Sequence, residues 1–308
     1  MAEPIPMSAS LLLQPWRKIT LTALLAAWTV CLVGEVKAET VLEKIQRTGV
    51  ITAGTREDAV PFGFRQNGQV VGYAVDLLGL IRARAERDLQ KPIRLELVPV
   101  TPSNRISLVQ ARTIDIECGA TSRTWNRAKF VDFSVPFFLA GTQLLVKAGN
   151  PAQGPAALAG QKVGVIKGTT NEGAVLNLRP AVDVVYVPDR DAGVTAVASG
   201  KIAAFASDGV LLEGNLKVNN TAENFRIIPP VPIQSEAYAC MVPPNQSGWR
   251  NLVDITLLSF MEGLVSQQPA PTQLYNRWFG PTGFVPYPEQ INIQFFKGIL
   301  NTQERPPR

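Results

Sequence analysis

The chain has 308 residues, 46% of them hydrophobic and 18% charged, enough apolar material for packed cores and too little charge for a disordered chain. It contains no histidine, which excludes Ser-His-Asp and Cys-His nucleophilic sites, His-ligated zinc and histidine acid–base catalysis, and its three cysteines cannot form a four-cysteine metal site. The formal net charge of +5 is modest for this length, so local electrostatics matter more than the global balance.

In chain order, Arg17 and Lys18 precede an uncharged run over 19–34, and Val36-Lys37-Ala38 closes it. A positive region, an apolar stretch and an Ala-type cleavage site predict a secretory signal peptide over 1–38. The competing reading is a membrane anchor, the run being slightly short of the ~20 residues a spanning helix needs. Cys31 follows Val30, with Trp28 at the third place back, which does not fit a lipoprotein leader. Cleavage would leave Cys118 and Cys240, an even pair that in an exported protein predicts a disulfide; the alternative is two buried thiols. The processed protein is expected to be soluble.

Beyond the leader, short β-rich runs alternate with helical periodicity. Strands are predicted at 50–54, 93–98, 113–119, 142–147, 162–166, 182–187, 201–207 and 236–242. Tyr73 to Leu89 reads as an amphipathic helix, and a second runs from Trp249 to Leu264, whose apolar residues fall on one face. The alternation predicts an α/β fold with mostly parallel sheets. Two proline-rich breaks, NPAQGP at 150–155 and PPVP at 229–232, bracket a block with its own strand–helix rhythm. The layout predicted from them is a discontinuous first lobe of 39–141 plus 238–308 and a second lobe of 142–237, joined by two crossing strands. Ligands bind outside the carboxyl ends of strands in such folds.

Three strand-to-loop junctions concentrate polar groups there. GTREDAVPFGF (54–64) carries Arg56, with Phe62 and Phe64 around Gly63. ECGATSRTWNRAKFVDFSVPF (117–137) ends a strand in small and hydroxyl residues and then presents Arg127. KVGVIKGTTNEGAV (162–175) runs into Thr169, whose spacing to Glu172 is that of a capping box. Helix starts with free N–H groups and arginine forks suit an anion. A phosphate-binding P-loop is excluded, because only three residues separate Gly164 from Gly168 and Lys167 precedes the second glycine. Each residue has a plainer reading: surface ion pairs for the arginines, a helix cap for Thr169, core for Phe62 and Phe64. The arginines of 82–87 are interrupted by Glu86, which predicts a solvated helix face and no nucleic-acid patch.

These motifs in this order, with VVGYAVDLLGLI, NRISLVQ, SGKIAAFASDGVLLEG, EAYACMV and YNRWFGP, resemble the family 3 extracellular solute-binding proteins, the polar amino-acid receptors of bacterial ABC importers. NRISLVQ…IDIECGATS and the cysteine of EAYACMV are most similar to the glutamate/aspartate-binding branch. The resemblance covers the mature chain and implies a two-lobed Venus-flytrap fold with two hinge strands. It implies that Arg127, Ser122 and Thr170 hold the ligand α-carboxylate, Asp208 the α-ammonium, and Arg56 and Arg105 a side-chain carboxylate. Where the branch has a serine, a serine and a histidine around the pocket, this chain has Pro102, Ala120 and Ala192, so selectivity broadened toward Gln and Asn is the alternative.

The resemblance further implies a periplasmic monomer that passes its amino acid to an inner-membrane ABC permease, with no cofactor, no metal and no nucleic-acid partner. A periplasmic dehydratase on the same fold is the enzymatic alternative, with Glu57, Glu117 or Glu172 as candidate acids by position. A signalling receptor would need a separate membrane partner and ranks lower.

Overall fold

The computed structural model describes residues 38–304; the expected leader therefore lies outside the described residues, but for Ala38. Helix α1 (Val41–Thr48) starts at Thr40, whose hydroxyl accepts from the Glu43 amide while the Glu43 carboxylate accepts from the Thr40 amide at 2.7 Å. Strand β1 (Val50–Thr55) leads into a small antiparallel sheet of β2 (Asp58–Ala59), β3 (Gly63–Gln66) and β4 (Gln69–Val71). Gly72 then enters α2 (Tyr73–Leu89) with φ +146°, and a Cβ there would lie 2.1 Å from the Phe62 carbonyl oxygen, so the turn admits only glycine. Next come β5 (Arg94–Pro99), α3 (Arg105–Gln110), β6 (Ile116–Glu117) and β7 (Asp132–Lys147).

The middle of the chain supplies β8 (Lys162–Ile166), α4 (Thr170–Leu176), β9 (Asp183–Val187), α5 (Arg190–Ala198), β10 (Ala204–Asp208), α6 (Gly209–Val218) and β11 (Phe225–Ile228). It ends with β12 (Gln234–Val242), α7 (Ser247–Val265), α8 (Pro269–Phe279) and α9 (Glu289–Leu300). None of the described helices is long and apolar enough to cross a membrane.

The main sheet runs β5-β1-β6-β12-β7-β10-β8-β9, with β11 paired to β7. It is mixed, where the sequence pattern predicts mostly parallel. The outer arms β5-β1-β6 and β10-β8-β9 are parallel, but β7 and β12 pair antiparallel with each other and with their neighbours. The strand expected at 142–147 is the second half of β7, which reaches back to Asp132; the one expected at 113–119 shortens to Ile116–Glu117, because Cys118 and the residues after it turn into a loop. Both arms belong to a two-lobed α/β fold.

Side-chain alternation explains the two apolar layers of the second arm. Leu144, Val146, Ala204 and Ala206 face one layer with Val163 and Val175, while Leu145 and Phe205 face the other with Val194 and Leu212. The first arm buries a larger core, in which Phe62, Tyr73, Phe138, Tyr238 and Phe279 pack with centroids 4.7–6.3 Å apart. Phe62 and Phe64 are thus core residues, 0% and 3% exposed.

Two devices fix the crossing strands. Helix α9 presents Asn292, fully buried, whose Oδ1 accepts from the Leu139 amide of β7 at 3.0 Å, and the Tyr287 hydroxyl donates to the Leu139 carbonyl at 3.2 Å. A disulfide joins Cys118, just after β6, to Cys240 of β12, closing a separation of 122 residues. It holds the loop of Ala120, Thr121 and Ser122 against the strand that carries Glu236 and Tyr238. Replacing both cysteines by serine is expected to lower unfolding free energy by about 2–4 kcal/mol, measured by chemical denaturation against the oxidised protein; no change would show that the cross-link does not constrain the unfolded chain.

Candidate functional site

The carboxyl ends of five parallel strands point at one place, as the topology of open α/β sheets requires. Arg56 follows β1, Arg105 stands after β5 at the start of α3, Ser122 follows β6, Thr170 follows β8 and Asp208 ends β10. All five line one cavity of about 20 Å³ between the arms. Arg127 lies beside it, and its guanidinium donates to the Ser122 carbonyl at 2.8 Å and the Gly168 carbonyl at 3.1 Å, tying loops of opposite arms. Every one of these six side chains except Thr170 is buried to 9% exposure or less.

Burial sets the electrostatics. Arg105 donates through Nη1 to the Ala120 carbonyl at 3.1 Å and the Thr121 hydroxyl at 2.5 Å; Thr121 in turn donates to the Glu117 carboxylate at 2.8 Å. Desolvation draws the Arg105 guanidinium down to about 10, with Glu117 partly offsetting it. Desolvation also pushes the carboxyls of Glu117 and Asp208 above their ordinary range, against the pull of Arg105 on the first and of Tyr238 and Arg190 on the second. Two polar atoms of residues in the cavity wall, Arg105 Nε and Asp208 Oδ1, are buried with no hydrogen-bond partner. A buried donor and a buried acceptor without partners, on two residues that line one small cavity, each carry a desolvation cost that a polar partner would relieve.

Three residues that the sequence reading did not single out complete the site. Glu236 of β12 gathers the hydroxyls: Ser122 and Thr170 donate to its Oε2, the latter at 2.5 Å, and Thr142 donates to Oε1 at 3.2 Å. Arg190, 4% exposed at the start of α5, lines the cavity from the second arm. It donates to the Ser207 hydroxyl at 3.2 Å and to the backbone carbonyl of Asp58 at 2.8 Å. Asp58 takes both Nε and Nη2 of Arg56, at 2.7 and 2.5 Å. The position read as lacking a histidine, Ala192, does not line the cavity; its amide is bonded to the Asp189 carboxylate that caps α5. Arg190 follows the carboxyl end of β9, so the strand-end rule that picks out Arg56 points to it as well. Glu236 carries no such mark, since its partners are remote in sequence, and Asp58, although beside Arg56, shows no sign in the sequence of its second partner Arg190.

The candidate acids of the enzymatic alternative are engaged elsewhere. Glu57 pairs with Arg65, Glu117 lies behind Thr121, and Glu172 accepts from the Gly168 amide at 2.8 Å and from the Tyr186 hydroxyl. Thr169 caps α4 by accepting from the Glu172 amide, as the spacing predicts, although the Glu172 carboxylate reaches Gly168 rather than Thr169. Among the described residues no group of three or more His, Cys, Asp or Glu side chains is placed to hold a metal ion.

Burial, reinforced by the charge of Asp208, drives the Glu236 carboxyl up to about 7, and the three hydroxyl donors offset only part of that; Arg127 and Tyr238 also face it. Burial likewise raises Asp254 to about 6, although it accepts from the Val135 amide. A carboxyl that binds its proton more tightly folded than unfolded contributes stability that is lost as pH rises through the folded value. The protein is therefore expected to lose about 1–3 kcal/mol of Glu236-dependent stability between about pH 5 and pH 8. Thermal melts across that range should show a flatter profile for Glu236→Gln than for wild type; identical profiles would mean that Glu236 titrates normally.

Comparison with known proteins agrees with this architecture. Residues 51–281 match the model of bacterial extracellular solute-binding proteins, family 3. The chain is 33% identical over 264 residues to a glutamate/aspartate import solute-binding protein of Escherichia coli K12, covering 84% of each protein. It is 32% identical over 268 residues to the protein of the same description from Salmonella typhimurium LT2, covering 85% of this chain and 86% of that one. In structure it is similar, with a TM-score of 0.66 and 27% identity over 75% of this chain and 98% of the other, to an ancestral arginine-binding protein bound to glutamine. On the strand-end cavity between two α/β arms and on these matches, the chain belongs to the bacterial extracellular solute-binding proteins, family 3.

Proposed function

We propose that this protein is the periplasmic receptor of an amino-acid ABC importer, a monomer and not an enzyme, that binds L-glutamate or L-aspartate between its lobes and delivers it to an inner-membrane permease. The observation that carries this reading is the cavity wall itself: Arg105 and Asp208, whose buried Nε and Oδ1 lack a hydrogen-bond partner, line one small space together with Arg56 and Arg190. One arginine and one aspartate satisfy any zwitterion. Further buried guanidinium groups would be costly to desolvate unless another anion pairs with them. The relatives described as glutamate/aspartate import proteins support the same ligand class.

In this reading Arg127, with Ser122 and Thr170, holds the α-carboxylate, and Asp208 holds the α-ammonium. Arg105 and Arg56 face the side-chain carboxylate. The lobes are 39–141 plus 238–308 and 142–237, and they move about the crossing strands β7 and β12. Because the contacts come from both lobes, ligand stabilises the closed form, so binding and closure are one equilibrium. A broader reading, with Gln and Asn also bound, is favoured by the methyl side chain of Ala120 in the cavity wall and by the engagement of Arg56 with Asp58.

The test is a thermal-shift screen of ligand-stripped mature protein against the common L-amino acids and prephenate. A ligand at a hundredfold excess over its Kd stabilises the folded state by ~2.7 kcal/mol. Shifts confined to glutamate and aspartate are expected; shifts across Gln and Asn would support the broader receptor, and a shift for prephenate alone would overturn the receptor reading. In titration calorimetry, Arg127→Ala is expected to cost at least about 3 kcal/mol of binding for every amino acid. Arg105→Met is expected to spare neutral ligands and remove acidic ones; normal glutamate binding by that variant would reassign the side-chain pocket.

A further inference from the structure

The side-chain end of the cleft contains an anion of the protein's own. Arg56 and Arg190 stand on opposite sides of the cleft, one after β1 and the other on α5, and both are buried to about 5% exposure. Both line the inner cavity of about 20 Å³, and both also line an outer cleft of about 580 Å³. Asp58, in contrast, lines only the outer cleft, and its side chain is 39% exposed. The two guanidinium groups thus form the partition between the two spaces, and the Asp58 carboxylate grips that partition from outside.

The grip is well made. Arg56 donates to both carboxylate oxygens, at 2.7 and 2.5 Å, in the parallel fork that fixes a guanidinium plane. Arg190 reaches the same carboxylate at 3.4 Å and the Asp58 carbonyl at 2.8 Å. Partial burial raises the Asp58 carboxyl, but Arg190 and Arg56 outweigh it and hold the group below its ordinary range, so it is ionised at neutral pH. Asp58 also joins elements of opposite arms, β2 and α5.

We propose that Asp58 is a resident counter-anion that sets the selectivity of the site: it pairs with Arg56 and Arg190 from the outer side, leaving the two guanidinium groups one net positive charge toward the inner cavity. That charge suits a ligand with one side-chain carboxylate while still tolerating a neutral amide. The inference rests on the receptor reading above and deepens it by assigning the acidic-to-neutral preference to Asp58, a positioning residue that acts through the two arginines. Removing its charge takes away the carboxylate both guanidinium groups share and leaves Asp208 as the remaining carboxylate acting on Arg190, so the cavity becomes more positive toward the ligand, which strengthens acidic ligands and weakens neutral ones.

The experiment measures Kd for L-glutamate and L-glutamine by titration calorimetry on ligand-stripped mature protein, wild type and variants. In Asp58→Asn, which keeps the shape and removes the charge, the ratio of glutamine Kd to glutamate Kd is expected to rise about tenfold. In Arg190→Gln it is expected to fall below the wild-type value. Glu57→Gln, one residue away in the Arg65 pair on the small sheet, is expected to leave the ratio unchanged. An unchanged or lower ratio in Asp58→Asn, or an equal rise in Glu57→Gln, overturns the assignment while leaving the receptor reading intact. A wild-type protein that binds neither amino acid, nor any other in the screen, overturns the receptor reading and this inference with it.

Discussion

Four guanidinium groups, those of Arg56, Arg105, Arg127 and Arg190, are buried around one small space, and a buried cation must be met by carboxylates or carbonyls on every side water has left. Much of the local architecture answers that requirement. Asp58 serves two of the four, the carbonyls of Ala120, Ser122 and Gly168 serve the others, and Thr121 relays Arg105 to Glu117. The partner carbonyls of Ala120, Ser122 and Gly168 sit in loops at strand ends, so those loops keep their shapes partly because the arginines need their carbonyls. Pairing stops at Arg105 Nε and Asp208 Oδ1, which are buried without a hydrogen-bond partner.

The crossing strands turn this into a two-sided device. Antiparallel β7 and β12 connect arms that are each parallel, and they bring Thr142 and Glu236 into the floor of the site. Glu236 gathers hydroxyls from the loop after β6, from β7 and from α4, so one carboxylate holds parts of both arms and of the strands between them. The disulfide and the α9 residue Asn292 brace the same strands from outside the cleft. The bonds of Arg127 to the Gly168 carbonyl and of Arg190 to the Asp58 carbonyl join the two arms across the space between them.

Much of this was legible in the chain. The 2-residue and 3.6-residue apolar periods mark the strands and the helices α2 and α7, and the strand-end rule draws Arg56, Arg105, Ser122, Thr170 and Asp208 to one side. Less legible was the length of β7, because a strand that leaves one arm for the other is buried by different neighbours along its length and shows no single alternation. Phe62 and Phe64 could be core or cleft by pattern, and the decision came from helices α2 and α8, more than ten and two hundred residues away.

The sequence by itself determined the α/β class, the set of polar strand ends and the family, because these depend on local periodicity and short motifs that each segment carries alone. Tertiary structure alone decided which charges meet. Asp58 finds Arg190 across 132 residues, Glu236 finds Ser122 across 114, and Arg190 rather than Ala192 turns into the cavity. Charge pairing depends on distance and desolvation in three dimensions, and neither quantity exists until the two arms have been folded against the strands that cross between them.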